Sequence, residues 1–186
     1  MIGYRIATDP PALVGPDAPL LEYTLAGNGV LVHAKREGLE ALIPIGCCDV
    51  RGLHVVDPHV HLERRVPRAF LSRMLGRARE VCAERPLEVL FHLVPGEMGW
   101  DLVEPPQEAT ATSVRPLPGA STTSQALIEI HSHHGMGAFF SATDDEDEQG
   151  FRIYGVLGTI FTRPTLRLRV GVHGHFFPLK ATEVFA

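Results

Sequence analysis

The chain has no apolar run near the roughly 20 residues that span a bilayer. Its amino terminus, MIGYRIATDPPALVG, lacks the basic start, apolar stretch and small-residue cleavage site of a secretion signal. These absences lead to the expectation of a soluble protein with no membrane partner that stays in the cytoplasm. An excess of positive charge is missing too. With 17 Lys and Arg against 22 Asp and Glu the formal net charge is −5. No global field therefore draws the chain to a phosphate backbone, and nucleic acid is not expected as its main partner. Cysteine is scarce: Cys47, Cys48 and Cys82 are an odd count with no CxxC spacing, which fits reduced, buried thiols rather than a disulfide framework or a zinc knuckle. No internal repeat is visible, so a solenoid is not expected.

What is present suits one globular core with an extension. A chain of 186 residues, 45% hydrophobic and 21% charged, is too short for two ordinary domains. Residues 1–63 read as a β-rich extension, with strand patterns at LEYTLA (21–26), GVLVHA (29–34), EALIPI (40–45) and GLHVVD (52–57). Residues 64–186 read as the main domain. It opens with a helix over about 67–83, where Phe70, Met74 and Val81 recur at helical spacing between Pro67 and Pro86. A buried strand follows at LEVLFHLVP (87–95). The Gly-, Pro- and Thr-rich stretch to residue 125 reads mostly as loop, with short strands near Trp100–Val103 and Thr112–Arg115. ALIEIHSH (126–133) returns to strand, and GFRIYGVLGTIF and LRLRVGVHGHFFPL form a hairpin-like pair around Arg163-Pro164.

Ten histidines are the unusual feature, and six of them fall in His-x-His pairs: 59/61, 131/133 and 173/175. On a strand, residues i and i+2 share a face about 6.5 to 7 Å apart, so two imidazoles can converge on one ion. A catalytic zinc normally takes three protein ligands. Only the second pair has a third in view, because HSHHGMGAFFSATD runs on to Ser141 and Asp144 in the pattern H-x-H-x7-S-x-x-D. The other two pairs lack such a partner and read as structural or surface histidines. Ser141-Ala-Thr-Asp144 equally fits a helix start, with serine as N-cap and the acidic run at the positive end of the helix dipole. The two readings are compatible, since a first helical turn can carry a ligand.

With H-x-H-x7-S-x-x-D preceded by a strand bearing P-L-E (86–88), residues 64–186 resemble the JAMM (MPN+/JAB) metallopeptidases. The resemblance implies an α/β fold, a curved mixed β-sheet flanked by helices. It implies Zn2+ held by His131, His133 and Asp144, with Ser141 beside the water the metal activates and Glu88 as catalytic acid/base. The implied activity is hydrolysis of a peptide or isopeptide bond at the carboxyl-terminal tail of a ubiquitin-like or sulfur-carrier protein. A non-catalytic MPN-fold module that docks a partner is the alternative. Two departures stand out. Where the family usually has proline after the second histidine, this chain has His134, read here as exposed. Glu129, on the same face of the strand as both histidines, rivals Glu88, which is preferred because an acid/base should approach from a neighbouring element. The extension, particularly GVLVHAKREGLEALIPI, is similar to that of the bacterial PRTRC system protein A group, JAB-domain proteins encoded with a ThiF-like partner.

Overall fold

A computed structural model describes residues 2–9 and 20–186. The leading part forms a five-stranded sheet of β1 (Ile2–Ile6), β2 (Leu21–Ala26), β3 (Gly29–Arg36), β4 (Leu39–Cys47) and β5 (His59–Leu62), in that spatial order. β1 runs parallel to β2 and every other pairing is antiparallel. Two-residue turns close β2–β3 and β3–β4, where Ala26 pairs with Gly29 and Arg36 with Leu39. Gly38 takes φ +80°, and a Cβ there would lie 2.7 Å from Leu127 Cδ1, so glycine lets this turn press against the second sheet.

GLHVVD is not a strand, contrary to its pattern. It crosses the end of the first sheet: the Asn28 side chain brackets Val56 (2.9 and 3.1 Å), and His54 bonds Ala7 and Gly27 singly, so no ladder forms. The strand at this point is β5, one turn later. The cysteines also differ from expectation, because Cys47 and Cys48 are exposed at the end of β4 and Cys82 is only half-buried.

Helix α1 (Ala69–Glu84) buries Met74 and Ala78, four residues apart on one face, and ends where Arg85 turns extended before Pro86. The second sheet then builds from β6 (Leu90–Gly96) and β7 (Gly99–Val103), with a separate small hairpin of β8 (Gln107–Ala109) and β9 (Val114–Pro116). It continues through β10 (Ile128–Ser132), helix α2 (Ala142–Asp147), β11 (Phe151–Gly158), β12 (Thr165–Val172), β13 (His175–Leu179) and helix α3 (Ala181–Val184). The spatial order is β13-β12-β11-β10-β6-β7. Only β10 and β11 pair in parallel, so the sheet is mixed and the fold is the expected α/β type. The last hairpin-like pair is in fact three strands. His173 and Gly174, both at positive φ (48° and 88°), make a tight turn between β12 and β13, a conformation the adjacent glycine favours.

One apolar core joins both sheets: Val32, Ala34 and Ile43 belong to the same buried cluster as Met74, Phe91, Ile130, Ile153 and Val170. β10 and β11 lie in the middle of the sheet and are almost wholly buried, with Ile128, Ile130, Phe151 and Ile153 turned into the core. The parallel β10–β11 step has a crossover containing α2, and that crossover starts at the end of β10 where the paired histidines stand.

Candidate metal centre

β10 carries Ile128, Ile130 and Ser132 to one face and Glu129 and His131 to the other, and the chain stays extended one residue further to bring His133 alongside. His131 pairs with Leu90 of β6 and Val156 of β11, and the His133 amide donates to Leu157 O at 2.7 Å. Both imidazoles are buried (6% and 4% exposed), and their Nε2 atoms stand 3.3 Å apart. The Nδ1 of His133 lies 3.2 Å from Gly137 O. A carbonyl only accepts, so Nδ1 carries a proton and Nε2 is the nitrogen turned toward His131. Two nitrogens bound 2.0 to 2.1 Å from one tetrahedral ion sit about 3.4 Å apart. The observed spacing fits that demand. Burial, opposed by Asp144, holds the His131 imidazole well below its ordinary pKa, at about 4, so it is neutral and able to ligate at pH 7.

Glu88 lies in the extended segment that leads into β6. Its amide donates to Thr110 O, while its neighbour Val89 is clamped to Ser132 through the Ser132 hydroxyl and the Ser132 amide. The Glu88 side chain is 2% exposed, and Oε1 points at His133 Nε2 from 3.8 Å without any hydrogen-bond partner. Burial, aided by the Asp144 charge, pushes this carboxyl up to about 8. A buried carboxyl oxygen with no partner is costly. A cation or an ordered polar ligand at the histidines would satisfy it.

Asp144 arrives from the opposite side on α2. Ser141 is the N-cap: its hydroxyl accepts from the Asp144 amide at 3.2 Å and donates to Asp144 Oδ2 at 2.8 Å, while the Ser141 amide also donates to Oδ2 at 2.6 Å. With Oδ2 held by the cap, Oδ1 remains free, 3.6 Å from His131 Nε2. The Ser141 hydroxyl is thus bound to Asp144 rather than aimed at the histidines.

Among the described residues two groupings of potential ligands have all their atoms within 4.8 Å of one another: Glu88, His131 and His133, and His131, Asp144 and Glu148. His131 belongs to both. His131, His133 and Asp144 do not form a grouping by themselves, so Asp144 must approach further before all three share an ion. The donor set, two imidazole nitrogens and carboxylate oxygens in a buried pocket, is one that suits zinc.

Glu129, the rival acid/base, is committed elsewhere. Its Oε2 accepts from His92 Nε2 at 3.1 Å and Arg152 Nη1 at 2.9 Å. Burial works to raise this carboxyl, but His92 and Arg152 outweigh it and hold it below the ordinary range. His134 is half-buried, not exposed, and its Nε2 is shielded without a partner. His59 and His61 are exposed on β5. His173 lies in a turn, and His175 faces Tyr23 of the first sheet, Nε2 to Oη 3.0 Å. None of these four belongs to a ligand grouping. Reading the sequence missed Glu148, Arg169, Phe140 and His92. Glu148 had a signal, since it lies four residues after Asp144 on the same helical face. Arg169 had none, because only the sheet brings it to α2.

The class so defined is an α/β protein whose mixed sheet carries a buried cluster of potential metal ligands at the end of its central strand. The family of prokaryotic homologs of the JAB domain matches residues 58–169, more than half of the chain, and the chain belongs to that family. The family includes peptidases. The match begins at β5, inside the first sheet, and so does not follow the division between sheets. No curated protein matches the chain.

Proposed function

We propose that this protein is a zinc-dependent hydrolase, a JAMM-type metallopeptidase that cleaves a peptide or isopeptide bond at the carboxyl-terminal tail of a ubiquitin-like or sulfur-carrier protein. A ThiF-like (E1-like) protein is the proposed partner and the cytoplasm the proposed location; no helix among the described residues is long and apolar enough to cross a membrane. The observation that carries the reading is the buried, unpartnered Glu88 Oε1 facing the two Nε2 atoms 3.3 Å apart.

His131 and His133 would hold the ion, with the second ring fixed by the Gly137 carbonyl. Asp144, one oxygen held by the cap, would supply the third ligand on moving closer. Zinc, when bound, supplies a Lewis acid that polarises the scissile carbonyl and lowers the pKa of water. Glu88 would take the proton that attack releases and return it to the leaving amine, once the charge of a bound cation favours its carboxylate form. The Ser141 hydroxyl, on leaving Asp144, can donate to the developing oxyanion.

Zinc content and cleavage of a panel of ubiquitin-like carboxyl-terminal fusions test this. About one zinc per chain is expected, lost in His131→Ala, His133→Ala and Asp144→Ala. Glu88→Gln should keep the metal and lose hydrolysis by a factor on the order of 100 or more. Absence of zinc under metal-replete conditions sinks the reading. One observation favours the docking module instead: Asp144 stands outside the Glu88, His131 and His133 grouping. Tight binding of the fusions without chelator-sensitive cleavage is what that alternative requires.

A further inference from the structure

Helix α2 carries Asp144 but has no apolar anchor. It is six residues long and none of its residues is buried, and a helix this short does not hold itself together in water. Arg169 of β12 supplies the anchor. Its side chain, 8% exposed at the residue level, donates from Nε (2.8 Å) and Nη2 (2.6 Å) to Glu148 Oε2, and from Nη1 to Asp145 Oδ1. Its guanidinium carbon lies 3.8 Å from the Phe140 ring centroid and 3.7 Å from that of Phe176 on β13. Phe140 immediately precedes the N-cap Ser141, and Glu148 is the C-cap. One planar cation therefore grips both ends of the helix, through a ring before it and a carboxylate after it.

We infer that Arg169 is the positioning residue of the metal centre: it fixes α2 so that Asp144 is presented to His131. Glu148 shares a grouping with His131 and Asp144, and its Oε2 is engaged by two guanidinium N–H groups, so the same cation ties the C-terminal end of α2 to β12 beside the histidine. Lysine cannot reproduce this, having neither a planar face to lie against the aromatic rings nor a fork of donors. The inference rests on the metal-centre reading proposed above.

The test is metal affinity of the full chain, by competition with a chromophoric chelator for zinc and by the visible absorption of bound cobalt. In Arg169→Met, which keeps an apolar stem of similar length, zinc should bind about 10- to 100-fold more weakly, as for other groups that orient ligands. The cobalt bands should shift as the third ligand, the Asp144 carboxylate, moves. Arg169→Lys should recover only part of the affinity. Asp145→Asn, at an exposed position, should show a smaller loss in the same direction, and it decides the matter if Arg169→Met fails to fold. Unchanged or tighter zinc binding in Arg169→Met, or in Asp145→Asn where that variant decides, overturns the inference while leaving the metal centre intact. A wild-type chain that binds no zinc brings down the metal-centre reading itself.

Discussion

Two glutamates, Glu88 in the extended segment before β6 and the half-buried Glu129 on β10, are in opposite states. Glu129 is paired with His92 and Arg152, whereas Glu88 Oε1 has no partner. In the metal-free protein Glu129→Gln should therefore lower stability by about 3 kcal/mol, because it strands Arg152 and His92. Glu88→Gln should be neutral or stabilising, since it removes a buried carboxyl that prefers to be uncharged. Urea denaturation of both variants checks this, and equal losses would contradict the assignment. On the first sheet, burial raises the Glu40 carboxyl, but Lys35 Nζ and His33 Nε2, each 3.0 Å away, outweigh it and hold it below the usual range. The folded pKa is thus lower than the unfolded one. Its contribution is present above about pH 4.3 and is lost as the pH falls through the folded value. Wild type should exceed Glu40→Gln in stability by up to about 1 kcal/mol at pH 6, and the gap should close below about pH 4.

At the scale of elements, the loop from His134 to Phe140 depends on β11. A Cβ on Gly158 would lie 2.1 Å from Ala138 N and 2.4 Å from Gly137 C, and Gly137 O is the group that orients His133. Gly158→Ala should therefore force the loop outward and weaken zinc binding by about 10-fold or more, measured by chelator competition, while α1 and the first sheet stay intact. Ser141→Ala should cost about 1 kcal/mol of local stability at α2, read as faster amide exchange at Asp145 and Glu148. It should also weaken zinc binding, because Asp144 Oδ2 loses a hydroxyl donor. A cap with no bearing on the ligand would show the first effect without the second.

Across the whole molecule, the core does not divide at residue 63. Val32, Ala34 and Ile43 of the first sheet pack in one buried cluster with Phe91, Ile130 and Val170 of the second, and the Gly38 turn rests on Leu127. The division into a 1–63 extension and a 64–186 domain is best proposed as a division of sequence, with folding shared between them. The chain should unfold in one transition by circular dichroism and by tryptophan fluorescence of Trp100. Residues 64–186 alone should lose several kcal/mol of stability, having exposed a face the first sheet covers. Two separated transitions would show independent units.

The local pattern was enough for several features, because short-range physics sets them. α1 follows from helical spacing between prolines, β2, β3 and β4 from apolar strand runs separated by tight turns, and α2 from a serine cap with an acid three residues on. The H-x-H-x7-S-x-x-D spacing nominated His131, His133 and Asp144 as ligands; extended backbone through His133 brings both imidazoles together, while Asp144 stands outside their grouping with Glu88. Other features were decided only by the tertiary structure. GLHVVD has strand composition but no strand to lie beside. Glu88 and Glu129 look alike in sequence, and only the placement of His92 and Arg152 tells them apart. Arg169 reaches α2 from 21 residues beyond Glu148 because β12 folds back beside β11. Spacing can nominate ligands within a few residues, but which charge is paired and what holds a short helix in place depend on contacts that only the folded sheet creates.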